Sequence, residues 1–394
     1  MIVPRSETIK NSPIFFGEFF YLPKPTNLYL TIWGKEGYNL LMSKLECRDV
    51  SIKYFGYDES VAGFSASFSD GVNVVFGAQG SGKTTLLKAL AGLIESSGEI
   101  LFDGASVRDI PLKDRDFQLV FDDLGLFSRH SVLYNLEYPL KKRGIPKEKR
   151  RDAVYQAAKL FGLDVMIEAP VYRLTEWHKV ALALCRVYLR KAKVVFIDNV
   201  FSRLDVCARK QAFLEFMPLL SDRGIVVFAT DEVAEAAALS EEIYFLNAGY
   251  LLQKGSLREI MEKPSCVAAF SAFQEYPSVL TAELGEDEIS VGNAVAEFKS
   301  PVSDVYIGKS VLAGFLPFDF VLSEDGFEAK VLARLFSAEI PLYVLETEQG
   351  RVFAAIKEKL SIGEKVKLGI VRARFLFDLT NERCIMRSQN EKSN

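Results

Sequence analysis

Val72-Asn73-Val74-Val75-Phe76 runs directly into Gly77-Ala78-Gln79-Gly80-Ser81-Gly82-Lys83-Thr84-Thr85, and then into Leu86, Leu87, Leu90 and Leu93 at helical spacing. A β-branched run that ends in glycines and opens into an amphipathic helix reads as strand, loop, helix, and the loop has the spacing of a phosphate-binding loop. The reasons are chemical. Glycines let the backbone curl until successive N–H groups point at a β-phosphate, Lys83 adds a point charge for β and γ oxygens, and the Thr84 hydroxyl can face Mg²⁺. Such a loop is built for a nucleoside triphosphate.

A second segment fits the first. Val194-Val195-Phe196-Ile197-Asp198 is an apolar strand ending in a carboxylate suited to holding Mg²⁺ through water. Outward from these two segments, short β-branched runs alternate with helical stretches from residue 42 to about 262, the pattern of a mainly parallel sheet flanked by helices. Leu45 to Tyr54, Val72 to Phe76, Val194 to Ile197 and Ile225 to Phe228 are expected strands; Ala153 to Leu160 is an expected amphipathic helix. Beyond Lys263-Pro264 the helical pattern fades, so 263–277 reads as a linker. In 278–394 the period becomes two, as in Val366, Leu368 and Ile370 against Lys365 and Lys367, with turn signals at Glu324-Asp325-Gly326, Gln349-Gly350 and Ile362-Gly363. That part reads as a small β-rich domain, barrel or sandwich. Residues 1–41 are irregular, aromatic and broken by proline; they are either an N-terminal extension or the product of a start assigned upstream of Met42.

Composition excludes several classes of function. Acidic side chains exceed basic ones by four in 394 residues, and the only dense basic run is Lys147 to Arg151, so the footprint of a nucleic-acid binder is missing. Two histidines, His130 and His178, leave almost no material for a histidine metal site or triad. Five scattered cysteines, an odd number, suit a reducing compartment. No apolar run reaches the length needed to cross a bilayer, which leaves partners to supply any membrane role.

With these pieces in order, the chain resembles the ATPase subunit of an ABC importer, especially of the carbohydrate-uptake type, over about residues 44 to 385. The resemblance includes Tyr54-Phe55-Gly56, where the family stacks an aromatic on adenine, and Ser97-Gly98-Glu99-Ile100, Asp103-Gly104 and Lys113-Asp114-Arg115-Asp116. Ser202-Arg203-Leu204-Asp205 is similar to the family's D-loop. It implies an α/β P-loop ABC ATPase domain with a mainly parallel sheet and a helical subdomain, followed by a small, OB-like, β-barrel-like regulatory domain. Its cofactors are ATP and Mg²⁺, the metal held by Thr84, Asp122 and Asp198. The implied partners are integral-membrane subunits and a second ABC ATPase in a homo- or heterodimer, which would place the chain in the cytoplasm, peripheral on the inner face of the cell membrane. The family's Arg-Pro-Glu turn stands here as Leu316-Pro317-Phe318.

Four positions depart from the family. Asn199 follows Asp198 where the family has a glutamate that polarises the attacking water; an amide can orient water but cannot take its proton, a loss of about 10² to 10⁴ in rate. Asp231 stands in place of a histidine, so a carboxylate faces the γ-phosphate, a like-charge repulsion of about 4 kcal/mol at ~4 Å and an effective dielectric near 20. Asp122 replaces glutamine and can still ligate Mg²⁺. The signature before the Val180 helix reads Leu174-Thr175-Glu176-Trp177-His178-Lys179, about two residues short and without its glycines, Thr175 alone keeping a hydroxyl. Three readings follow: an importer's ATP-binding subunit with weak or absent hydrolysis, a non-transporting ATP-dependent regulator of another ABC ATPase, or an active ATPase with divergent motifs.

Overall fold

The computed structural model describes residues 43–53, 59–220, 224–239, 242–298, 302–335 and 340–386. The 1–41 extension and Phe55, expected to stack on adenine, lie outside the described residues. The chain divides into two compact units, one built on 126–191 and 201–222, the other on 43–125, 192–200 and the chain from 223 onward.

The larger unit contains the loop. Its six-stranded sheet has the order β10-β9-β3-β8-β7-β6, with β3 Gly71–Phe76, β6 Phe117–Val120, β7 Val194–Asp198, β8 Ile225–Thr230, β9 Ile243–Asn247 and β10 Tyr250–Gly255. All pairs are parallel except β9 with the edge strand β10. Strands β7 and β8 are buried at every residue, as expected where both faces of a parallel sheet are covered. A four-stranded antiparallel sheet, β2-β1-β4-β5, is formed by β1 Lys44–Lys53, β2 Glu59–Ser69, β4 Glu99–Phe102 and β5 Ala105–Ser106. Helix α1, Lys83–Ala91, joins the two sheets into one core: Leu86, Leu87 and Leu90 are fully buried in a cluster with Leu45, Val50, Val75, Phe196 and Val227. Each such leucine contributes about 1.5–3 kcal/mol relative to leaving it in water.

The same unit continues through the helix Val267–Phe273 into two antiparallel sheets around a shared core that includes Leu280, Val311, Phe315, Val331, Tyr343, Leu368 and Leu376. The Gln349-Gly350 signal makes a hairpin between Leu342–Thr347 and Gly350–Ala355, and Gly363 turns the chain with a φ of 88°. Glu324-Asp325-Gly326 does not end a strand. One strand runs from Phe320 to Leu335, and both Leu322 and Phe327 register opposite Leu368, so the intervening residues bulge out. Gly326 permits this: a Cβ there would lie 2.4 Å from the Leu368 backbone.

The smaller unit is helical, with α2 Val132–Lys142, α3 Lys147–Leu160, α4 Glu176–Arg190 and α5 Val206–Phe216. Its core is aromatic: Phe161 stacks on Phe216 at 5.5 Å, and Trp177 packs on the same ring at 5.3 Å.

Candidate functional site

At the carboxyl edge of the parallel sheet the chain leaves β3 at Phe76 and turns through Gly77 to Gly82 into α1. Gly77 has to be glycine, because a Cβ would stand 2.2 Å from the Leu246 carbonyl and 2.6 Å from Ser81 Oγ. Gly82 is the left-handed N-cap of α1, with φ 101° and no side-chain cap, and the first turn carries no acid. The amides of that first turn are therefore left for an external anion. Gly80, also left-handed at φ 81°, has open space where its side chain would be.

Lys83 is buried, and its ammonium donates to the carbonyls of Gly77 at 2.7 Å and Ala78 at 2.9 Å and to Ser81 Oγ at 3.4 Å. Burial lowers its pKa below the usual lysine value, while Asp231 and Asp198 act in the opposite direction. Asp198 is buried at the end of β7, with its carboxyl raised above the ordinary value: burial dominates, the charge of Asp122 adds to it, and a hydrogen bond from Thr84 with the charges of Lys83 and Lys88 opposes it. Among the described residues no three His, Cys, Asp or Glu side chains converge to hold a metal by themselves. A Thr84 hydroxyl beside the Asp198 carboxylate suits Mg²⁺, a cation that keeps waters and takes one or two protein oxygens plus phosphate, and Asp122 is near enough to act on Asp198 electrostatically. The donor set and the glycine cradle thus fit a magnesium nucleotide, for which the metal would supply charge neutralisation on the phosphates. Ala78, Gln79, Ser81 and Thr85 fall within the same loop and helix start.

Asn199 follows Asp198 with a left-handed φ of 44°, and its N–H donates to the Ala229 carbonyl at 3.0 Å. Asparagine tolerates this backbone better than most residues. Asp231 follows β8 directly, beside the loop, since Gly77 N donates to Thr230 O at 3.2 Å.

Within the helical unit, the signature segment forms the start of α4. Thr175 is its N-cap: its hydroxyl accepts from His178 N at 3.4 Å and lies 2.8 Å from His178 Nδ1, so the hydroxyl is engaged within its own helix. Glu176 accepts from Lys179 Nζ at 2.7 Å and from Arg203 Nε at 2.9 Å, and these two hydrogen bonds hold its carboxyl below the ordinary range. Sequence reading missed this triad, although the three-residue spacing of Glu176 and Lys179 on a helix was a usable signal. All five cysteines are free thiols, and burial pushes Cys47 up to about 12. Among the described residues no helix is long and apolar enough to cross a membrane.

A glycine loop running from a parallel strand into a helix, with a buried lysine and a facing strand-end aspartate, defines a P-loop nucleotide-binding domain. Residues 63–202 match the family model described as ABC transporter. The chain is 31% identical over 291 residues to the sn-glycerol-3-phosphate import ATP-binding protein UgpC 3 of Agrobacterium fabrum, covering 72% of this chain and 80% of that one. It is 29% identical over 295 residues to the spermidine/putrescine import ATP-binding protein PotA of Haemophilus influenzae, covering 73% and 79%. Against the oligosaccharides import ATP-binding protein MsmX of Bacillus subtilis it is 29% identical over 321 residues, covering 77% and 88%. The chain belongs to the ABC transporter family of ATP-binding proteins.

Proposed function

We propose that this chain is the ATP-binding subunit of an ABC importer for a carbohydrate or other small solute, docked on integral-membrane subunits, and that it binds Mg-ATP through Gly77 to Thr85, Asp122 and Asp198 with weak or absent hydrolysis. The observation that carries the reading is the pairing of an intact grip with a missing base: Lys83 is buried in its loop and Thr84 bonds Asp198, yet the next residue is the amide Asn199. The relatives named above support the importer assignment. Their solutes, a polyamine, a glycerol phosphate and oligosaccharides, are chemically unlike, which supports a solute read by other subunits.

Calorimetry of Mg-ATP binding together with phosphate release tests both halves on one preparation. Binding is expected with phosphate release about 10² or more below an intact site; turnover of ordinary speed that Lys83→Ala abolishes would overturn the second half. Asn199→Glu alone is expected to recover less than about tenfold, since Asp231 remains and a glutamate must adopt the left-handed backbone at a cost on the order of 1 kcal/mol.

The engaged Thr175 hydroxyl and the Glu176 carboxylate favour one further reading, a non-transporting regulator that associates with another ABC ATPase without completing its site. Copurification of two membrane chains with this one decides against it.

A further inference from the structure

Strands β3, β8, β7 and β6 are successive neighbours in the sheet, paired in parallel with Phe76 opposite Thr230, Asp198 opposite Ala229 and Val120 opposite Ile197. Their carboxyl ends therefore present, in order, the phosphate loop, Asp231, Asp198 and, two residues past β6, Asp122. Neighbouring strands are about 4.8 Å apart. Asp231 thus shares this edge with the two carboxylates suited to the metal, close enough to act on the phosphate-loop Lys83, while Lys83 and Lys88 act on Asp198.

Asp231 is held there. The residue before it, Thr230, is fully buried, with its carbonyl accepting from Gly77 N. Its hydroxyl accepts from Glu232 N at 3.1 Å and donates to the buried carboxylate of Glu235. Swinging the loop away from an incoming phosphate would break these contacts, so the backbone that carries Asp231 is held beside the phosphate loop. The Asp231 and Asp122 side chains are exposed, and water weakens their field without removing it.

We propose that the site discriminates against the γ-phosphate and is selective for a magnesium nucleoside diphosphate, with Asp231 as the residue that sets the selectivity. The proposal rests on the nucleotide reading above. A diphosphate uses the same glycine amides, Lys83 and Thr84, whereas a triphosphate adds one more negative group that meets the Asp231 carboxylate where the family offers histidine; Asp122 and Asp198 stay with the metal. The chain then reports the diphosphate state of its nucleotide pool, holding Mg-ATP only as the weaker ligand.

The test is titration calorimetry of the full chain with Mg-ADP and with Mg-ATP, repeated on Asp231→Asn and Asp231→His. The wild-type chain is expected to bind ADP about tenfold more tightly than ATP, the scale of one screened charge contact. Both variants should erase that ratio mainly by strengthening ATP. Equal or tighter ATP binding by the wild type overturns the proposal while leaving the nucleotide site intact, as does a variant that shifts both nucleotides by the same factor. No binding of either nucleotide by any of the three proteins overturns the nucleotide reading itself.

Discussion

Two helix starts, one in each unit, are built in opposite ways. Helix α1 begins at a left-handed glycine with no side-chain cap and no acid in its first turn, while α4 begins at Thr175, which caps it, and continues into Glu176, which is bonded by Lys179 and Arg203. Both termini have the same surplus of unpaired amides and the same positive end of a dipole. The first leaves that surplus to a ligand. The second spends one of those amides on its own Thr175 cap and places the Glu176 carboxylate in its first turn. A helix N-terminus is therefore a phosphate site only where the local side chains decline to fill it.

Removing the charge from the open end should have the largest effect. Lys83→Ala is expected to weaken Mg-nucleotide binding by about ten- to a hundredfold, read by calorimetry, since a charged hydrogen-bond partner contributes about 1.5–3 kcal/mol. Gly77→Ala should also cost stability, about 1–3 kcal/mol in denaturant unfolding, because its methyl must displace the Leu246 carbonyl or Ser81. At the closed end, Thr175→Ala removes a cap and should destabilise the fold by about 1 kcal/mol with no change in nucleotide affinity. Loss of affinity in that variant would mean the two termini are less different than described.

The smallest effect belongs to Glu176→Gln. Partly exposed ion pairs contribute about 0–1 kcal/mol, so a few tenths are expected at neutral pH. The sign follows from the depressed carboxyl: the contribution is present above the unfolded carboxylate pKa and is lost as pH falls through the lower folded value. Wild type and variant should therefore converge in acid unfolding below the ordinary carboxylate range and differ above it.

Much of this was legible in the residues. The phosphate loop, the strand carrying Asp198 and the helix of Leu86 and Leu90 follow from local spacing, and β3 and β7 fall within a residue of their expected bounds. What sequence could not supply was long range or backbone-specific. Arg203 is 27 residues from Glu176, so their pairing needs the fold of the helical unit. The left-handed turn at Asn199 shows only in the backbone, and Glu324-Asp325-Gly326 carries turn chemistry that the fold spends on a bulge, because Leu368 pairs on both sides of it. Thr175 kept the hydroxyl that the signature requires, yet His178, three residues on, engages it.

The helix Val267–Phe273 has a consequence for anyone shortening the chain. Its Phe273 packs on Phe76, the last residue before the phosphate loop, at 4.6 Å and on Phe245 at 5.3 Å, while Phe270 lies against Phe375 at 5.5 Å and covers Gly314. Truncation after residue 277 would strip the cover from one aromatic ring and leave the other still wedged beside the loop. The cut product is expected to be sticky and poorly soluble, so the β-rich tail serves as a hydrophobic lid for its neighbour.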